Sequence, residues 1–334
     1  MDSNSNESNT KKRSMTGKQN VYEAKRSKQE DNTNINIYGD GASWFRGSII
    51  GKGRYGSVFV ANLNTESGYT SYPSIMAVKS AEVSASGSLK KEKEVMDDIR
   101  GSPYVIKCYG DEITKGENNK RAYNLLLEYA SGGTLANLIK KSHGKGLLEN
   151  DVKRYARSIL KGLSHVHKRG YVHCDLKPDN VLLVANKSND GYIAKIGDLG
   201  LAKRVEQSKK NDSGRYWRGN PLYFSPEAVV NGVQKQAADI WAFGIIMFEM
   251  LAGNPPWHLY KGLGINKVLK RISYESEIES VMVSAGISEE GKSFLKGCLC
   301  KKVMCRLSAD MLLDHPFLKG LVEDDVDEVD EIQQ

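Results

Sequence analysis

The hydrophobic pattern of this 334-residue chain changes once, and that change limits the folds it can adopt. Between about residues 44 and 129 the chain carries short runs rich in β-branched and aromatic residues, the pattern of β-strands. These runs lie at 48–50, 57–60, 75–78, 104–106 and 123–127, with one helical stretch at 88–99. After Ser131-Gly132-Gly133 the apolar spacing becomes helical, at 134–141, 149–168, 237–252 and 289–298. Strands followed by helices predict an α+β chain of two lobes joined near residues 128–133.

Charge and composition divide the chain into a body and two tails. Residues 1–43 are polar and poor in aliphatic side chains, and we expect them to form a disordered tail. Residues 1–40 carry a net charge of +1 and residues 319–334 form an acidic tail of net charge −6, so the total of +7 leaves +12 on residues 41–318. A positive body indicates an anionic partner, which could be nucleic acid, an anionic lipid or an anionic small molecule.

Two basic clusters in the first tail, at 11–13 and 25–28, have the spacing of a two-part nuclear import signal. Such a signal would bind a nuclear import receptor, but a solvated tail of mixed charge has the same composition. The five cysteines are scattered, and no apolar segment is long enough to cross a bilayer. These features predict reduced thiols, a cytoplasmic or nuclear location and no membrane partner.

A glycine-rich loop, Gly51-x-Gly53-x-x-Gly56, opens the body. Dinucleotide-binding folds use the same spacing, but they need a helix directly after the loop. Here residues 58–61 continue as a strand, so the loop is predicted to be a strand-turn-strand cover whose N–H groups can approach phosphates. Lys79 follows on an apolar strand, where its ammonium group is costly to bury unless it meets anions such as nucleotide phosphates.

The helical stretch at 88–99 offers one carboxylate partner for Lys79. Leu89, Glu92 and Met96 fall on one stripe of a helix, whereas Glu94 points elsewhere. Glu92 is therefore predicted to face inward, although a glutamate in a lysine-rich helix is otherwise more often exposed to solvent.

The most specific stretch is His-Cys-Asp-Leu-Lys-Pro-Asp-Asn at 173–180, followed by Asp-Leu-Gly at 198–200. Its polar groups suit phosphoryl transfer. Asp175 can accept a hydroxyl proton, and Lys177 can lie near a transferring phosphoryl group. Asn180 and Asp198 carry the hard oxygens that magnesium prefers.

These motifs, in this order over residues 44–318, resemble the eukaryotic protein kinase family. The resemblance implies a bilobal fold, with a small β-rich N-lobe at 44–130 that carries one regulatory helix and a larger helical C-lobe at 131–318. It also implies binding of ATP and Mg²⁺. The implied catalytic residues are Asp175 as base, Lys177, and the ion pair Lys79 and Glu92, with Asn180 and Asp198 as metal ligands. The implied nucleotide-binding residues are Ile50, Gly51, Gly53, Gly56, Val58, Ala77, Lys79, Glu128 and Leu183.

Two later elements of the chain extend the resemblance. Ser225-Pro226-Glu227 is similar to the Ala-Pro-Glu element of the family, in which Glu227 is expected to pair with Arg306. Asp239, in an apolar helix, is implied to be the buried anchor of the catalytic loop.

Within the family, Asp175-Leu-Lys-Pro resembles serine/threonine kinases. Trp44-x-Arg46-Gly47, His173-Cys-Asp175 and Asp314-His-Pro-Phe resemble plant mitogen-activated protein kinase kinase kinases of the MEK-kinase type. The implied activity is transfer of the γ-phosphoryl group of ATP to a protein substrate, in particular a downstream kinase kinase. The alternative is a catalytically weak, kinase-like scaffold that binds signalling partners. Because no nucleic-acid reader motif accompanies the basic body, we expect no nucleic-acid partner beyond the nucleotide.

Three positions depart from the family pattern. Leu199 replaces the phenylalanine of the family's Asp-Phe-Gly element, an apolar exchange of similar burial. Cys174 replaces an arginine that, in the family, pairs with a phosphate on the activation loop. We therefore expect basal activity without phosphorylation of the loop serines Ser208 and Ser213. Asn220 replaces a threonine whose hydroxyl group bonds the catalytic aspartate and lysine, and its side-chain amide is expected to donate instead, at some cost in efficiency.

Overall fold

The computed structural model describes residues 35–53, 56–65, 72–186, 191–207, 217–260, 262–264, 266–268, 282 and 285–321. The two basic clusters of the first tail lie outside these residues, as do Ser208, Ser213 and the acidic tail beyond residue 321.

The first lobe is an antiparallel five-stranded sheet with the strand order β1-β2-β3-β5-β4. Its strands are β1 (Trp44–Gly53), β2 (Gly56–Leu63), β3 (Ile75–Glu82), β4 (Cys108–Lys115) and β5 (Arg121–Leu127). A short helix, α1 (Ile35–Tyr38), precedes the sheet, and helix α2 (Gly87–Asp98) packs against β3, β4 and β5. The expected β-rich lobe with one helix is therefore present.

The predicted strand at 104–106 is wrong. Val105 makes an isolated bridge with Ile196 of the second lobe, and the Ile106 N–H donates to the carbonyl of the same residue. A short apolar run cannot by its period distinguish a strand from a buried connection. The true edge strand, β4, is mostly polar and only partly buried, so its sequence carries no strong signal.

The second lobe is mainly helical. Its helices are α3 (Leu135–Lys141), α4 (Glu149–Lys168), α5 (Pro226–Asn231), α6 (Gln236–Ala252), α7 (Glu289–Cys298) and α8 (Ala309–Leu313). Helix α6 is apolar on nearly all sides and lies in the centre of the lobe, where Trp241, Phe243 and Phe248 are buried. The predicted helical stretches agree with these bounds to within one residue at each end. Among the residues described here, no helix is both long and apolar enough to span a bilayer.

Two short two-stranded sheets carry the polar motifs of the second lobe. Strand β6 (Tyr171–Val172) pairs with β9 (Lys203–Arg204), and β7 (Val181–Ala185) pairs with β8 (Tyr192–Ile196). The stretch at 173–180 connects β6 to β7, and the stretch at 198–200 connects β8 to β9. Both polar segments are therefore held at the ends of paired strands.

Arg46 anchors the entry of the chain into the sheet. It is buried, and its guanidinium donates to the Gly39 carbonyl, the Ser80 hydroxyl and the Asn124 side-chain oxygen. Burial lowers the pKa of Arg46 to about 10. Because a buried charge without such partners is costly, these hydrogen bonds explain how Arg46 is tolerated within the sheet.

Candidate active site

Lys79, Glu92 and Asp198 meet where the two lobes face each other. Strand β3 carries Lys79, whose Nζ lies 2.7 Å from Glu92 Oε2 and 2.9 Å from Asp198 Oδ1. Although burial opposes it, the two carboxylates raise the pKa of Lys79. Burial likewise opposes the shift at Asp198, but the charge and hydrogen bond of Lys79 hold the pKa of that carboxyl below its ordinary value. Lys79 therefore stays cationic and Asp198 anionic at neutral pH.

Helix α2 presents Glu92 to the interior, as its spacing predicts. Leu89, Glu92 and Met96 are at most 6% exposed, whereas Glu94 is exposed. The buried carboxylate of Glu92 also accepts a hydrogen bond from the Leu199 N–H, in addition to the ion pair with Lys79. Glu92 thus connects β3 to the Asp-Leu-Gly segment.

Asp175 is held by donors on both carboxylate oxygens. Its Oδ2 accepts from Lys177 Nζ at 3.0 Å and from Asn180 Nδ2 at 3.2 Å. Its Oδ1 accepts from the backbone N–H of Asn220 at 2.8 Å. These contacts fix the direction of the one carboxylate that sequence analysis assigned as a base.

Asn220 acts differently from the expectation. Its backbone N–H, not its side-chain amide, bonds Asp175, while its Oδ1 accepts from the Leu222 N–H and caps the following turn. Gly219 permits this approach. Its φ is +101°, and a Cβ there would lie 2.3 Å from the Cys174 carbonyl oxygen. The role of Gly219 is not readable from the sequence, because only the folded chain brings it beside the catalytic loop.

The side chain of Asp239 binds the backbone of the catalytic loop. This buried carboxylate accepts from the N–H groups of His173 and Cys174 at 2.8 and 3.0 Å, and from His167 Nε2 at 2.9 Å. Cys174 has a φ of +68°, a conformation that non-glycine residues rarely adopt without such support. His173 joins the loop to the end of β8, since its Nε2 lies 3.0 Å from the carbonyl oxygen of Gly197, which follows that strand.

Asn180 and Asp198 have the oxygens that a divalent metal needs. Asn180 uses its Nδ2 to bond Asp175, and Asp198 uses its Oδ1 to bond Lys79. Within the described part of the chain, no donor is bonded to Asn180 Oδ1 or Asp198 Oδ2. These two hard oxygens therefore fit a magnesium-type ion.

The predicted nucleotide-binding residues differ in how deeply they are buried and in whether the fold itself requires them. Gly56 is needed by the fold, because its φ is +149° and a Cβ would lie 2.2 Å from the Ser80 carbonyl oxygen. Gly51 and Gly53 would allow a Cβ ordinary contacts, so the packing of the chain itself does not require glycine there. The remaining predicted positions comprise the half-exposed Ile50, the partly buried Val58, and the buried Ala77 and Leu183.

The side chain of Glu128 accepts hydrogen bonds from two groups of the protein itself. Its Oε1 accepts from Lys195 Nζ at 2.7 Å, and its Oε2 accepts from the Lys107 N–H at 3.1 Å. Both carboxylate oxygens are thus used by contacts within the protein, and the contact with Lys195 joins the two lobes. The expectation that Glu128 binds nucleotide stays a prediction, and its backbone N–H also donates to the Lys107 carbonyl at 2.9 Å.

The side chain of Cys174 is buried and its thiol is inert. Burial raises its pKa to about 12, against the opposing charges of Lys203, Arg218 and Lys91. Because the thiolate is the reactive form, this cysteine has no nucleophilic role.

The predicted pair between Glu227 and Arg306 is confirmed. Arg306 Nη1 and Nη2 lie 2.7 and 3.0 Å from the two oxygens of Glu227, a bidentate arrangement, and the arginine side chain is fully buried. This pair joins α5, which follows the segment that holds Asp175, to the end of the second lobe.

Comparison with known proteins agrees with this geometry. The family described as protein kinase domain matches residues 44–318. Mitogen-activated protein kinase kinase kinase 20 of Arabidopsis thaliana is 41% identical, over 84% of this chain and 80% of that protein. Mitogen-activated protein kinase kinase kinases 17 and 18 of the same plant are 39% and 38% identical, over 82% and 83% of this chain and 69% and 77% of their own lengths. With an ion-paired lysine, a fixed carboxylate and metal-type oxygens at one cleft, this chain belongs to the protein kinase family.

Proposed function

We propose that this protein is an ATP-dependent serine/threonine kinase that phosphorylates a downstream kinase kinase in a mitogen-activated cascade. The observation that carries the proposal is the convergence of Lys79, Glu92 and Asp198 beside the Asp175 loop. A protein kinase domain binds ATP and a divalent metal, and the oxygens of Asn180 and Asp198 favour Mg²⁺. The names of the three plant relatives support the place in the cascade.

In this proposal, positioning and electrostatics perform most of the catalysis. When bound, ATP supplies the phosphoryl group and the metal offsets its charge. Asp175, held through both oxygens, orients the substrate hydroxyl and accepts its proton at Oδ2 or Oδ1. Lys177, 3.0 Å from Asp175, and Lys79, oriented by Glu92, place positive charge where negative charge develops.

The scaffold alternative is not favoured. A protein that only recruits partners has no physical need for Lys79, Asp175, Asn180 and Asp198 with the hydrogen bonds that connect them. The departures at Cys174 and Asn220 also leave the catalytic carboxylate in place, since Asn220 holds it through the backbone.

The test is phosphorylation of a panel of inactive kinase kinases by the purified full chain, with labelled ATP and Mg²⁺. Asp198→Asn is expected to lower the signal by at least about a hundredfold, because it weakens both the metal site and the contact with Lys79. Asp111→Asn is the matched control, since both side chains are 41% exposed. Equal signal from wild type and Asp198→Asn would refute the proposal that this protein is an active kinase. Phosphorylation of a generic protein but of no kinase kinase would refute the place in the cascade alone.

We also propose that the protein enters the nucleus as well as occupying the cytoplasm, through an import receptor that binds residues 11–13 and 25–28. The support is the spacing of these two basic clusters. Alanine at both clusters should remove a fluorescent fusion from the nucleus. An unchanged distribution would contradict the proposal.

A further inference from the structure

Helix α2 is connected to the segment after Asp198 by three side chains. Glu92 accepts from the Leu199 N–H, and Lys91 Nζ donates to the Ala202 carbonyl at 2.8 Å. Asp98 Oδ2 lies 2.6 Å from Arg204 Nη2. All three contacts use residues before 208, so none of them includes a loop serine.

Asp98 is the one of these three side chains that binds two other side chains. Its Oδ2 also accepts from the hydroxyl of Tyr171 at 2.5 Å. Tyr171 and Arg204 are direct partners in the β6–β9 pair, and the guanidinium carbon of Arg204 lies 4.9 Å from the centre of the tyrosine ring. The Tyr171 hydrogen bond and the charge of Arg204 together keep the pKa of Asp98 below its ordinary value, so it is ionised at neutral pH.

The position of this cluster relates α2 to Asp175 and Asp198. Strand β6 leads within three residues to Asp175, and β9 follows Asp198 by five residues. Asp98, about 1.7 turns along α2 from Glu92, therefore contacts both strands at once. Two neighbouring contacts reinforce the junction, because His165 Nε2 lies 2.7 Å from the Ile99 carbonyl and Arg169 donates to the Asp98 carbonyl at 3.3 Å.

We propose that Asp98 is a positioning residue, which holds Glu92 against Lys79 by binding Tyr171 and Arg204, and that it does so without phosphate on the loop serines. The inference rests on the proposed kinase activity. The resemblance places a phosphate-binding arginine at position 174, where this chain has a buried cysteine. The Asp98 cluster supplies, from residues upstream of the loop serines, a connection between α2 and the activation segment that such a phosphate would otherwise support.

The test measures ATP kinetics of Asp98→Asn and of the matched control Asp97→Asn, in the wild type and in a Ser208→Ala, Ser213→Ala background. Asp97 is the adjacent acid on α2 and pairs with Lys93 on the helix surface. We expect Asp98→Asn to lower kcat/KM for ATP at least about tenfold in both backgrounds, and Asp97→Asn to change it by less than twofold. Asp98→Glu should recover part of the loss, and the melting temperature should stay within a few degrees for every variant.

A purely structural role would not produce this pattern. Loss of positioning should also speed amide hydrogen exchange within residues 87–98 of Asp98→Asn, with exchange in α6 unchanged. Equal kinetics for Asp98→Asn and Asp97→Asn would overturn the positioning role. A tenfold loss from the two serine substitutions alone would overturn independence from the phosphate. An inactive wild type would instead refute the proposed function, so the two failures are distinguishable.

Discussion

The buried carboxyl of Glu249 predicts a specific dependence of stability on pH. Glu249 lies on α6, is 7% exposed, and accepts a 2.7 Å hydrogen bond from the Tyr223 hydroxyl. Burial, with Asp179 nearby, raises its pKa to about 7, from an ordinary value of 4.5. Between these two pH values the unfolded chain loses this proton while the folded chain keeps it. The free energy of unfolding therefore falls as pH rises from about 4.5 to about 7.

The size of this loss follows from the two pKa values. At 1.36 kcal/mol for each pKa unit, the difference between 4.5 and 7 corresponds to about 3 kcal/mol, fully developed above pH 7. Glu249→Gln has no proton to lose and can still accept from Tyr223. The variant is therefore expected to gain about 3 kcal/mol relative to wild type between pH 4.5 and pH 8.

Urea unfolding of the two proteins at pH 4.5, 6, 7 and 8 measures this difference directly. Glu290→Gln is the control, because this glutamate on α7 is 64% exposed and should give a profile parallel to that of wild type. Parallel profiles for wild type and Glu249→Gln would refute the reasoning, since they would mean that Glu249 ionises alike in the folded and unfolded chains.

Two further predictions concern the ion pair of the second lobe and the glycine loop. Glu227→Gln should lower the free energy of unfolding by about 3–5 kcal/mol, because it leaves the guanidinium of Arg306 buried without its counter-charge. Denaturant unfolding measures this loss, and a change below about 1 kcal/mol would contradict the prediction. Gly56→Ala should raise KM for ATP at least about fivefold, because a methyl group there displaces the loop. Position 53 has room for a methyl group, so Gly53→Ala should change KM less than about twofold. Equal effects of the two variants in steady-state kinetics would contradict the steric argument.

Much of the fold was predictable because its elements are strongly periodic. The stripe on α2 identifies the buried face of that helix, and the long apolar stretch of α6 identifies the centre of the second lobe. Periodicity failed at 104–106 and at β4, where burial comes from contacts with the other lobe or is only partial. Local pattern carries no record of such contacts.

The candidate site divides in the same way. The spacing of Asp175, Asn180 and Asp198 was readable because loop and strand connections between them are short. Asp98 was not, since its partners Tyr171 and Arg204 are 73 and 106 residues away in the chain. Such pairs become visible only when the two lobes are assembled.

The cysteine at position 174 and the contacts of α2 have a common electrostatic basis. Lys91, Lys203 and Arg218 place positive charge around Cys174, and burial together with Arg218 lowers the pKa of Lys91. An arginine at position 174 would add a fourth cation, whose repulsion a further anion would have to offset. A thiol adds no charge, and Lys91 has a neutral partner in the Ala202 carbonyl. With cysteine at this position, the cations around residue 174 do not require a phosphate to offset their charge. Helix α2 is therefore held by backbone groups such as the Ala202 carbonyl and by the Asp98 carboxylate at the end of the helix.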